Sequence, residues 1–174
     1  MIYFSGFSLQ KEQELFDFWL DSSDYCVAGF SYGAIKAVEY TYKSCERIDR
    51  LILLSPAFFN NQNEAFKKMQ LLYFKKDAKK YTANFLANIT SNSNIDLSSY
   101  ISNGKYQELK ELLYYNWNIE KLKTIANRGT TIEVILGEND KIIDSKETLK
   151  FFENIAVTYY IKNANHILRR LDDN

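Results

Sequence analysis

The sequence predicts an α/β fold built on a short, mainly parallel sheet. Three observations carry this prediction. Five short apolar runs have the length of strands, the segments between most of them repeat apolar residues at helical spacing, and a tight glycine-flanked turn joins one run to the helix that follows it. The five runs are Ile2 to Phe4, Tyr25 to Ala28, Leu51 to Leu54, Ile132 to Leu136 and Val157 to Ile161. Four of them are near-continuous rather than alternating, as expected of parallel strands covered on both faces. Helical patterns run over Lys11 to Leu20, Ala34 to Cys45 and Ser145 to Asn154.

One interval breaks the rhythm. More than seventy residues separate Leu54 from Ile132 without a convincing strand. Two long helical patterns fill the gap, Asn63 to Asn88 and Lys105 to Asn127, parted by a Ser/Asn-rich stretch from Thr90 to Ser99. An excursion this long in a compact domain is usually functional. The expected organisation is an α/β core of residues 1–56 and 129–174, with residues 57–128 inserted as a helical cap.

The 174 residues suffice for one domain with a sizeable core. Charged residues are 25% of the chain and cancel to a formal net charge of zero, so nothing global points to nucleic acid or a membrane surface. No run approaches the ~20 apolar residues of a membrane span. The segment Met1 to Phe7 lacks the basic start of a secretion signal, and Cys26 and Cys45 read as reduced thiols. A cytoplasmic location is therefore expected.

The chemistry is concentrated at Gly29-Phe30-Ser31-Tyr32-Gly33, which matches G-x-S-x-G. In that motif a strand turns so sharply into a helix that glycine is needed on both sides, and the serine hydroxyl is held above the sheet as a nucleophile. An apolar strand before Ser31 and a helix from Ala34 after it supply the context. A serine hydroxyl also needs a base within hydrogen-bond reach, and the base needs an acid to orient it. The chain has one histidine, His166, just after the last predicted strand. Asp140, in Leu136-Gly137-Glu138-Asn139-Asp140, follows the fourth strand and is the expected acid, with Glu138 and Asp144 as rivals by proximity. The order Ser31, Asp140, His166 is nucleophile, acid, base, and all three follow the C-terminal ends of strands, where ligands bind in open α/β sheets. Two backbone donors must receive the oxyanion. The Tyr32 N–H and, after the first strand, the Phe7 N–H are the candidates.

On Gly6-Phe7, the Ser31 pentapeptide, Gly137-Glu138-Asn139-Asp140 and Asn165-His166, the chain resembles the α/β-hydrolase superfamily over nearly its whole length. Its shortness, with Tyr3-Phe4-Ser5-Gly6-Phe7-Ser8 and Ala28-Gly29-Phe30-Ser31-Tyr32-Gly33-Ala34, is similar to the BioV-type esterases of biotin synthesis. The resemblance implies a minimal α/β-hydrolase that cleaves the methyl ester of pimeloyl-[acyl-carrier protein]. It implies catalytic roles for Ser31, Asp140 and His166, substrate contacts near Phe7 and Tyr32, and neither cofactor nor metal. The sequence departs from the superfamily in its oxyanion loop, Ser5-Gly6 in place of His-Gly. It also lacks two N-terminal strands and the strand between that loop and the serine turn.

An acyl carrier protein is acidic, so a basic docking patch is expected. Lys67, Lys68, Lys75 and Lys79 share a third of the circumference if one continuous helix carries them, and Arg47 and Arg50 would add charge below the cap. Cap aromatics, including Phe58, Phe59, Phe66, Tyr73, Phe74, Tyr114, Tyr115 and Trp117, are candidate walls for an acyl chain. With every crossover right-handed and advancing in one direction, all helices fall on one face. The cap or the second subunit of a homodimer must then cover the other. Two other functions fit the same residues: a thioesterase or general carboxylesterase, and a hydrolase-fold binding protein without catalysis.

Overall fold

The computed structural model describes residues 1–91 and 93–170, and places all five strands in one sheet. Strands β1 (Ile2–Phe4), β2 (Cys26–Phe30), β3 (Arg50–Leu54), β4 (Thr131–Gly137) and β5 (Val157–Ile161) lie side by side in sequence order. Every neighbouring pair is parallel, so the sheet is wholly rather than mainly parallel. The register brings the C-terminal ends level: Phe4 pairs with Gly29, Gly29 with Leu53, Leu54 with Ile135, and Gly137 with Ile161. The loops that follow these ends hold the residues of interest.

Helix α1 (Tyr32–Lys43) starts directly after Ser31, and α6 (Ser145–Phe152) joins β4 to β5. Between β3 and β4 the two long helical patterns become four helices: α2 (Glu64–Lys76), α3 (Ala78–Ile89), α4 (Tyr106–Tyr114) and α5 (Ile119–Asn127). Short polar side chains make the breaks. Asp77 leaves the helical region, and its carboxylate accepts the Lys80 N–H at 2.9 Å. Asn118 caps α5 by accepting the Glu120 and Lys121 N–H groups. Such residues offer the backbone an alternative to helical pairing, so periodicity alone runs straight through them. α5 then lies beside α1, tied by the Lys121–Glu39 ion pair and by Arg128 donating to the Tyr42 carbonyl at 2.8 Å.

The strands alternate cleanly between two apolar layers. Val27, Leu51, Leu53, Ile132, Val134 and Leu136 face α1, α5, α6 and most of the helical insertion. Cys26, Ala28, Phe30, Ile52, Leu54 and Ile135 face the other way. The expectation that every connection packs on one face fails at the first one. The link from β1 to β2 forms only a short 3₁₀ turn, Glu12–Phe16, in place of the predicted helix, and Phe16 packs on the second face against Phe30. The connections carried by α1 and α6 advance in the same direction and pack on the first face, so this one has the opposite hand. A five-residue 3₁₀ turn is too short to enforce the usual right-handed packing of a helix on a twisted sheet. The chain itself covers the second face, with Leu9, Phe16, Ile89, Leu97, Ile167 and Leu168.

Candidate active site

Ser31 sits between β2 and α1 with φ 53° and ψ −111°, outside the allowed regions of ordinary residues. A conformation of this kind costs about 1–3 kcal/mol and persists only where the surroundings enforce it. They do so here. The Ser31 N–H donates to the Leu54 carbonyl at 2.8 Å, and the Ser31 carbonyl accepts from Ala34 and Ala57, each at 3.1 Å. The flanking glycines answer to backbone rather than to each other's side chains. A Cβ on Gly29 would lie 2.2 Å from the Gly33 carbonyl oxygen, and one on Gly33 would lie 1.9 Å from the Phe4 carbonyl oxygen.

The Ser31 Oγ lies 3.0 Å from His166 Nε2, and His166 Nδ1 lies 2.6 Å from Asp140 Oδ2. With Nδ1–H donating to the carboxylate, Nε2 is left to accept the serine proton. The other Asp140 oxygen accepts the N–H groups of Ile142 and Ile143 at 2.7 and 3.1 Å, which fixes the acid independently of the histidine. The rivals are engaged elsewhere: Glu138 accepts the Asn163 N–H, and Asp144 caps α6. The His166 and Asp140 side chains are fully buried and Ser31 is 3% exposed, so the group lies in a low-dielectric setting.

Phe7 and Tyr32 are both buried, and neither backbone N–H donates to another described residue. Phe7 packs its ring against Phe74 of α2 and Phe85 of α3. The Tyr32 hydroxyl donates to Glu111 of α4 at 2.5 Å, and burial with this bond pushes the phenol well above its ordinary pKa. Two supporting residues were not assigned these contacts from the sequence. Glu111 is 79 positions from its partner. Asn165 binds the Ser91 carbonyl and Ser93 Oγ through its amide nitrogen, and holds the Ile167 and Arg169 N–H groups on its oxygen. It fixes the loop that presents His166, and only its adjacency to the histidine hints at this.

No protein-family model and no curated protein matches the sequence. Solved structures do. The chain aligns with carboxylesterase CesB (YbfK) from Bacillus subtilis over 93% of its length (17% identity, TM-score 0.57) and with naproxen esterase (carboxylesterase NP) from Bacillus subtilis over 82% (19%, 0.53). It aligns with MenH from S. aureus over 95% (15%, 0.62). The fold is a minimal α/β-hydrolase fold. The chain spans 59% of CesB and 53% of naproxen esterase, and 85% of MenH. In this α/β-hydrolase fold Ser31, Asp140 and His166 occupy the loops after β2, β4 and β5.

The helices between β3 and β4, with Lys141 and Ile142, line an open cleft of about 610 Å³, and Ser31, His166 and Asp140 are not among its lining residues. Phe59, Phe66, Phe85, Leu112 and Leu113 give it apolar walls, and Ile142, two residues from Asp140, also lines it. Lys76, Lys80 and Lys141 line it as well, with Asp77 among them. Of the aromatics expected to wall an acyl chain, Phe59, Phe66 and Tyr73 line this cleft. Phe58 and Trp117 belong to the core, and Tyr114 lines a separate hollow between α1 and α4.

The basic patch differs from expectation. Lys67, Lys68 and Lys75 stand on α2, but the break at Asp77 puts Lys79 on α3, off their common face. Lys68 pairs with Glu64, and Lys67 and Lys75 lie over the rings of Tyr114 and Tyr106. Arg47 and Arg50 are not below the cap. They sit at the N-terminal end of β3, opposite the site, and are paired with Asp49, Asp21 and Glu133 at 2.7–2.8 Å. No helix among the described residues is long and apolar enough to cross a membrane.

Proposed function

We propose that the protein is a serine carboxylesterase working through Ser31, His166 and Asp140. The observation that carries this reading is the unbroken hydrogen-bond chain from Ser31 Oγ through both imidazole nitrogens to Asp140. His166 Nε2 takes the serine proton as Oγ bonds to the ester carbonyl carbon. The oxyanion is received by the Phe7 and Tyr32 N–H groups, at the N-terminus of α1, where the helix dipole favours negative charge. His166 then gives its proton to the departing alkoxide, and the C–O bond breaks to release an alcohol. A water, deprotonated by the same nitrogen, attacks the acyl-serine and returns Ser31. Asp140 holds the imidazole in the required tautomer and stabilises its charged form.

For the substrate we propose pimeloyl-[acyl-carrier protein] methyl ester, with methanol as the leaving alcohol and the carrier approaching from the cytoplasm. A largely apolar cleft with lysines around it suits a long acyl chain joined to an anionic carrier, and Lys67, Lys68 and Lys75 on α2 offer charge to an acidic partner, with Lys79 contributing from α3. Replacing Ser31 with Ala is expected to abolish hydrolysis of a p-nitrophenyl ester and labelling by a fluorophosphonate while leaving the circular dichroism unchanged. Residual turnover near the wild-type rate would sink the triad. Incubation with the methyl ester of the pimeloyl carrier is expected to remove the methyl group by mass spectrometry. Cleavage at the thioester instead would make the protein a thioesterase.

A further inference from the structure

We propose that Glu12 is a positioning residue for the oxyanion loop, holding the Gly6 amide so that the next one, the Phe7 N–H, stays available to the reacting carbonyl. The proposal rests on the reading of Ser31 as nucleophile and the Phe7 N–H as an oxyanion donor. Glu12 is fully buried, and no cation pairs with it among the described residues. A buried carboxylate without a cation is costly. What this one does is specific. Its Oε1 accepts the Gly6 N–H at 2.8 Å and the Tyr3 hydroxyl at 3.2 Å, while Oε2 has no partner. Burial, reinforced by the Glu12 charge, raises the Tyr3 phenol far above its ordinary pKa, so Tyr3 stays a donor.

Two consecutive peptide planes are pinned in this way. Glu12 fixes the plane that carries the Gly6 N–H. The Gly6 carbonyl accepts the Leu9 N–H at 3.2 Å, which fixes the next plane. A trans peptide points its N–H opposite its C=O, so the Phe7 N–H must lie away from Leu9. The loop cannot shift sideways to escape. A Cβ at Gly6 would lie 2.8 Å from the Phe30 ring, and Phe30 in turn packs on the imidazole of His166 and on Phe16. Because the 3₁₀ turn that carries Glu12 packs on the second face of the sheet, its carboxylate reaches the oxyanion loop from the side opposite α1.

The test compares Glu12→Asp, Glu12→Gln and Ser31→Ala with wild type on a p-nitrophenyl ester, at a temperature where circular dichroism shows every variant folded. Gln keeps an oxygen acceptor in place, and its kcat is expected to stay within about threefold. Asp withdraws the acceptor by one methylene, roughly the 1 Å scale on which misplacement costs up to 10²-fold. Its kcat is expected to fall at least tenfold with KM little changed. Its affinity for a trifluoromethyl ketone, which mimics the oxyanion, should fall by the same factor. A folded Glu12→Asp with wild-type kcat, a change confined to KM, or a Gln variant as impaired as Asp would overturn the proposal. If Glu12→Asp does not fold, Glu12→Ala, which removes the buried charge altogether, is judged by the same criteria. An active Ser31→Ala would instead refute the triad, so the two failures are distinguishable.

Discussion

Gly33→Ala would test whether the serine turn and the oxyanion loop form one mechanical unit. A methyl at position 33 would lie 1.9 Å from the Phe4 carbonyl oxygen, 2.5 Å from its carbon and 2.7 Å from the Ser5 carbonyl oxygen. Ordinary contacts are about 3.5 Å, so the start of α1 and the end of β1 must part by about 1.5 Å. All three obstacles are backbone, and none can rotate aside. Overpacking of this kind costs about 1–3 kcal/mol, which for a chain of this size lowers Tm by roughly 2–12 °C. The larger effect is on chemistry. The displacement falls between Ser31 and the loop that offers the Phe7 N–H, and a misplacement near 1 Å can cost about 10²-fold. A loss of about that size in kcat/KM on a p-nitrophenyl ester is expected, together with the fall in melting temperature followed by circular dichroism. A Gly33→Ala variant with wild-type Tm and turnover would show that β1 and α1 separate freely, and would refute the reasoning.

Asp140→Asn should lower kcat by about 10⁴-fold at neutral pH with little change in stability. Its remaining carbonyl oxygen still accepts the Ile142 and Ile143 N–H groups, so the loop stays in place while the histidine tautomer is lost. Measured turnover within tenfold of wild type would count against Asp140 as the orienting acid. Stability should also fall on acidification through two carboxylates that tie α1 to the insertion. The Tyr32 hydroxyl and then Gln107 hold Glu111 below the usual carboxylate range. Burial pushes Glu39 up, but hydrogen bonds from Lys121 and Tyr115 and the Lys121 charge outweigh it, and Glu39 too ends low. A depressed folded pKa gives stabilisation that is complete above the unfolded value, about 4.3, and lost as pH falls through the folded one. Urea midpoints should therefore be flat from about pH 7 to 5.5 and drop below about pH 4.5, less steeply in Glu39→Gln and Glu111→Gln. Equal slopes in wild type and variants would contradict this.

Much of the fold was legible because its signals are local. The central strands β2, β3 and β4 announced themselves as short apolar runs, since a parallel strand covered on both faces has no polar side to show, while the edge strands β1 and β5 are partly exposed. The ends shifted only slightly, as where β2 continues through Gly29 and Phe30 to the serine. Ser31, Asp140 and His166 were legible because strand-to-loop transitions place them, and a sheet with level C-terminal ends brings such positions together. The helical breaks at Asp77 and Asn118 were written in the sequence as short polar residues, but hydrophobic periodicity does not weigh them, and the lysine face drawn across Asp77 was lost with the break.

The sequence by itself determined the strand–helix alternation, the serine turn and the order of the three candidate catalytic residues, all of which depend on neighbours along the chain. Tertiary structure decided the rest. It selected Asp140 over Glu138 and Asp144 by engaging the rivals elsewhere. It reversed the first crossover and so covered the second face of the sheet. It also joined Glu12 to Gly6 and Glu111 to Tyr32. These are single contacts between side chains and backbone brought together by packing, and no periodicity or spacing encodes them.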